Sequence, residues 1–144
     1  MRAVLFLAFL LIFFPGAECA AAPGRTVHGN PFYQPAEPRL RYPIYDTAIL
    51  AEGQPLEFRW YNNYADTRGF ILKVYGGYNM YADALILRKE LPAGAASFKA
   101  DGALFREGGV YTWSLVRVSS AGYKSGRSFN SFRVARGPGK KQGF

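Results

Sequence analysis

Residues 110 to 118, Val110-Tyr111-Thr112-Trp113-Ser114-Leu115-Val116-Arg117-Val118, decide the fold. The run holds β-branched and aromatic residues, the types that suit a pleated and half-buried surface, with no glycine or proline to interrupt it. It predicts a strand. Working outward, residues 128 to 135 (SFNSFRVA) give a second strand after a loop containing Gly122 and Ser125. Upstream, Leu56, Phe58 and Trp60 alternate with Glu57, Arg59 and Tyr61, an apolar face at period two. Phe70, Leu72 and Val74 form another such face, with Lys73 and Tyr75 opposite. Residues 84 to 91 (ALILRKEL) suit a strand or a short helix by pattern alone, and short runs at 96 to 100 and 44 to 50 complete the set. No amphipathic helix of ten residues is present in the pattern. Seven short strands between residues 44 and 135 predict an all-β, seven-stranded antiparallel β-sandwich.

At its last two strands the chain resembles a fibronectin type III domain. The residues that carry the likeness are Gly109-Val110-Tyr111-Thr112-Trp113-Ser114-Leu115, then Val118-Ser119-Ser120-Ala121-Gly122, Ser125, and Phe132-Arg133-Val134. Leu56-x-Phe58-x-Trp60 is similar to the second strand of that family, whose tryptophan lies in the core. The likeness covers residues 44 to 135 and implies three placements. Tyr111 would be a core tyrosine whose hydroxyl bonds nearby backbone, Trp60 and Trp113 would fill the centre, and Arg117, where the family has a small residue, would point to the rim. It implies almost nothing about function.

The N-terminus reads as a targeting segment. Met1-Arg2 precedes twelve uninterrupted apolar residues (AVLFLAFLLIFF), then Pro15-Gly16 and the small residues Ala17 and Ala20 to Ala22. This is the layout of a secretory signal peptide over residues 1 to 21, and twelve residues fall short of the ~20 that span a bilayer as a helix. Cys19 is a candidate lipidation site, although Glu18 beside it departs from the small residues of lipoprotein signals; the preferred reading is a cysteine removed with the signal peptide. A mature chain without cysteine favours a bacterial exported protein, periplasmic, envelope-associated or extracellular. Residues 22 to 43 contain Pro23, Pro31, Pro35, Pro38 and Pro43 and read as a Pro-rich extended spacer; residues 136 to 144 read as a basic flexible tail.

The chain of 144 residues carries 18 Lys and Arg against 10 Asp and Glu, a formal net charge of +8. The excess is spread along the sequence and draws acidic surfaces in a salt-dependent way. With one His (His28, in the spacer) and one Cys, neither triad nor cysteine-based metal chemistry is expected. The sequence predicts no catalytic residue, no cofactor and no metal. Asp66 and Asp83 are the one carboxylate pair able, in principle, to flank a glycosidic bond, which keeps a small hydrolase as a remote alternative.

Residues of the aromatic loops are the candidate binding residues: Tyr61, Tyr64, Tyr75, Tyr78, Met80 and Tyr81. Tyrosine supplies large contact area at low entropic cost and stacks on sugars, whereas rings of this kind also cover the open ends of a sandwich. The expected function is a non-catalytic binding or structural module that meets protein or envelope polymer. The alternative is a carbohydrate- or cell-wall-binding module using the loop tyrosines Tyr64, Tyr75, Tyr78 and Tyr81 on a polysaccharide. Nucleic acid is not expected as a partner, and membrane contact is expected only through the signal peptide or a lipid at Cys19.

Overall fold

The computed structural model describes residues 33–44 and 47–137. The segment read as a signal peptide, Cys19, His28 and residues 138–144 of the tail lie outside them. Eight strands follow in chain order: β1 (Leu40–Tyr42), β2 (Thr47–Leu50), β3 (Leu56–Trp60), β4 (Thr67–Gly76), β5 (Leu85–Pro92), β6 (Ser97–Ala100), β7 (Val110–Ser119) and β8 (Ser128–Arg136). They form a three-stranded sheet, β1-β3-β6, and a five-stranded sheet, β2-β8-β7-β4-β5. The ambiguous run at 84 to 91 is a strand, pairing with β4 along its whole length. All seven expected strands are present. The eighth, β1, comes from the segment read as spacer.

Period-two alternation places the core. Leu56, Phe58 and Trp60 of β3, Phe70, Leu72 and Val74 of β4, Tyr111, Trp113 and Leu115 of β7, and Phe132 and Val134 of β8 are all buried between the sheets. Aromatic rings meet there at tilted or edge-on angles: Phe58 lies 5.1 Å from Trp113 and Trp60 lies 5.5 Å from Phe70. Each such side chain contributes on the order of 1.5–3 kcal/mol by leaving water. Both tryptophans fill the centre as expected. Tyr111 also behaves as the likeness implies, its hydroxyl accepting from the backbone N–H of Arg106 at 2.7 Å.

Two expectations are corrected. Residues 33 to 43 do not stand off as a spacer: Pro35, Pro38 and Pro43 are buried, and β1 pairs with β3. Burial of their rings repays the extended conformation that proline already favours. Past Pro43 the chain crosses to the other sheet as β2, which runs parallel to β8, the one parallel pair among the described strands. Arg136, assigned to the tail, is the last residue of β8, and its guanidinium donates to the Phe105 carbonyl at 2.8 Å.

Candidate functional site

Arg117 does not point to the rim. It follows Tyr111, Trp113 and Leu115 on the inward side of β7 and is 2% exposed. A buried guanidinium must satisfy its charge and its donors. It pairs with the Asp66 carboxylate, donates from Nε to the Ala36 carbonyl at 3.2 Å, and lies 4.5 Å from the centre of the Tyr64 ring. Its backbone N–H donates to Ser125 Oγ at 2.9 Å, fixing the β7–β8 loop, whose turn at Gly122 needs a φ of +86°.

The same cluster ties down the N-terminal strap. The Tyr33 hydroxyl donates to the second Asp66 oxygen at 2.7 Å, the Tyr64 hydroxyl donates to the Glu37 carbonyl at 2.8 Å, and the Ser128 hydroxyl donates to the Pro38 carbonyl. The Tyr33 hydroxyl, with the Arg117 guanidinium beside it, holds the Asp66 carboxyl below its ordinary value, while the same hydrogen bond to Asp66 raises the Tyr33 phenol. Asp66 is therefore a held anion with two partners.

The six candidate binding residues do not form one surface. Tyr61 and Tyr64 sit at the end where β4 starts, and the guanidinium groups of Arg39 and Arg41 lie 5.3 and 5.7 Å from the centre of the Tyr61 ring. Tyr78, Met80 and Tyr81 sit at the end where β4 finishes, about 30 Å away along a strand of this length. Tyr75 is within β4, 3% exposed, between Leu85 of β5 and Thr112 of β7. Only Tyr78 and Tyr81 are widely open, at 69% and 67% exposure; Tyr78 borders a shallow groove of about 320 Å³ with Thr47, Ser131, Phe132 and Arg133.

The carboxylate pair fails on the same measure. Asp66 precedes β4 and Asp83 follows it, in the short 3-10 turn Ala82–Ala84. Glycoside hydrolysis needs two carboxyl groups roughly 5–9.5 Å apart, and these flank opposite ends of a ten-residue strand. Among the described residues there is no group of three metal-ligating side chains, and no helix is long and apolar enough to cross a membrane.

Two packed sheets, the Tyr111 hydroxyl bond and the buried Trp60 and Trp113 define a fibronectin type III-like β-sandwich. One solved structure agrees on that fold, and two others are similar. The fibronectin type III domain of human contactin 1 is 10% identical, with a TM-score of 0.50 over 85% of this chain and 99% of that one. A Fn3-like protein from Clostridium thermocellum is 17% identical, with a TM-score of 0.48 over 71% and 95%. The fibronectin(III)-like modules of Clostridium thermocellum CbhA are 12% identical, with a TM-score of 0.46 over 69% and 96%. No family model matches the chain, and no curated protein matches its sequence.

Proposed function

We propose that this protein is an exported, non-catalytic binding module that meets a component of the bacterial envelope or its surroundings. The observation that carries the reading is the fate of Asp66: the carboxylate best placed for chemistry is bound on both oxygens, by Tyr33 and by Arg117, and works as a structural clasp. The signal-peptide layout of residues 1 to 21 supports the exported setting, and the absence of cysteine after them favours a bacterial source over a disulfide-bonded extracellular one. Loop tyrosines split between opposite ends, with Tyr75 enclosed, argue against a carbohydrate module that uses Tyr64, Tyr75, Tyr78 and Tyr81 together.

Co-sedimentation of residues 22–144 with isolated bacterial cell walls tests the reading, with reducing ends released into the supernatant measured in the same tubes. Retention without release is the expected result. Release that disappears in Asp66→Asn would establish a hydrolase and overturn it.

A further inference from the structure

The outer face of the five-stranded sheet carries a second arrangement. Sheet register places Arg88 of β5, Lys73 of β4, Ser114 of β7 and Phe129 of β8 in one row, each directly opposite the next. At ~4.8 Å per strand the row spans about 14 Å. Beside it, Lys73, Ser114, Ile71 and Val116 line a small cleft with Lys124 and Arg127 from the β7–β8 loop. Phe129 is 59% exposed although it lies on a strand, whereas Ser114 is buried to 2% at the cleft floor.

Cations outnumber carboxylates on this face: Glu90 is ion-paired with Arg88, and Glu37 lies against Gly126 and lines a groove with Arg127 and Phe129. Among the described residues the only ion pair on it joins Arg88 to Glu90; Lys73, Lys124 and Arg127 have no carboxylate within ion-pair distance. Cations on an edge strand such as β5 discourage pairing with other chains, which accounts for Arg88. Lys73 is on an internal strand, and a like charge directly across the ladder is unfavourable there. Glu90 meets the Arg88 charge, which leaves the half-buried Lys73 without a carboxylate of its own, and an open aromatic ring lies two strands further along the row.

We propose that this face binds an anionic polysaccharide, with Lys73, Lys124 and Arg127 meeting its carboxylate or phosphate groups and Phe129 stacking on the C–H face of a sugar. Cations alone suit any polyanion. The exposed ring in the same row favours a sugar polymer over an acidic peptide or an anionic lipid surface. The assignment rests on the binding-module reading and names its ligand class.

The test measures binding of residues 22–144 to polygalacturonate, with neutral dextran, polyglutamate, oligo(dT) and phosphatidylglycerol vesicles in parallel. Polygalacturonate should bind, and its affinity should fall as salt is raised. The triple variant Lys73→Gln/Lys124→Gln/Arg127→Gln should weaken it by roughly tenfold or more. Phe129→Ala should weaken polygalacturonate several-fold and leave the salt slope unchanged, and Tyr78→Ala/Tyr81→Ala at the sandwich end should bind as wild type. Thermal unfolding verifies that each variant is folded. Polyglutamate, oligo(dT) or the vesicles binding as tightly as polygalacturonate, or a folded triple variant binding as wild type, overturns the proposal. If the triple variant still sediments with cell walls as wild type does, this face is wrong and the binding-module reading stands; if wild type does not sediment at all, the broader reading fails.

Discussion

Trp113 donates its indole N–H to the carbonyl of Pro43 at 2.8 Å, joining the centre of the core to a residue 70 positions earlier in the chain. The bond is buried, so neither group has water to turn to. Trp60, the other core tryptophan, is equally enclosed, yet its indole N–H has no partner among the described residues. The two rings fill similar space and differ in their polar atoms. That difference separates what each contributes.

Trp113→Ala is expected to destabilise the domain by roughly 3–5 kcal/mol through the lost ring and the cavity it leaves. Phenylalanine gives the sharper comparison. Trp113→Phe strands the Pro43 carbonyl, whereas Trp60→Phe removes a donor that was already unsatisfied. The first should cost more than the second by about 1–3 kcal/mol, the penalty for an unmet buried polar group. Chemical denaturation of both variants measures the gap, and equal costs would show that the Pro43 bond adds nothing.

Removing the strap should be severe. A chain beginning at Ile44 lacks β1, the Pro43 acceptor of Trp113, the Ala36 acceptor of Arg117 and the Tyr33 donor to Asp66. A chain beginning at Tyr33 keeps all four. The shorter chain is expected to unfold at a markedly lower temperature than the longer one in differential scanning calorimetry. Matching midpoints would mean that residues 33–43 only lie on the surface.

How far the sequence reveals this can be read from β7. Tyr111, Trp113 and Leu115 declare their inward face by residue type, and period two alone then places Arg117 on the same face. The family likeness, with a small residue at that place, implied the rim, and the strand's alternation argued correctly for the interior. The partners that make such burial tolerable could not be read, because Ala36 and Asp66 reach Arg117 across 81 and 51 residues. Proline content misled in a related way. It reports an extended chain, which β1 and the strap are, but it does not report whether an extended chain is docked. Tyr75 shows the limit for the binding residues: beside Gly76-Gly77 it resembles a loop tyrosine, yet β4 continues to Gly76 and encloses it.

The Asp66–Arg117 pair should respond unequally to losing its two members. Arg117 is almost fully enclosed, with a side-chain exposure of 3%, whereas Asp66 keeps 43%. Asp66→Ala leaves a buried guanidinium short of its counter-charge, while Arg117→Met leaves a carboxylate that water can still reach and fills the same space with apolar atoms. Asp66→Ala is therefore expected to be the more destabilising substitution, and the double variant should recover part of its loss. A double-mutant cycle by urea unfolding reads this directly; the reverse order would show that Arg117 acts mainly through its contact with the Tyr64 ring.

The clasp should also give the domain a stability limit at each end of the pH scale. The Asp66 carboxyl titrates below its ordinary 3.8 in the folded chain because Tyr33 and Arg117 favour its charged form. Its contribution is thus complete above the unfolded value and is lost as pH falls through the lower folded one. The Tyr33 phenol titrates above its ordinary 10.0, since the neutral hydroxyl donates to Asp66. That contribution is complete below the unfolded value and is lost as pH rises through the higher folded one. Other groups titrate at both extremes, so only differences from wild type are diagnostic. Asp66→Asn should flatten the acid limb of the thermal midpoint against pH, and Tyr33→Phe should flatten the alkaline limb and also weaken the acid limb, because the Tyr33 hydroxyl is the larger influence on the carboxylate and Arg117 alone then holds it. Variant curves parallel to wild type at both ends would show that the strap is held by its buried prolines and β1 alone.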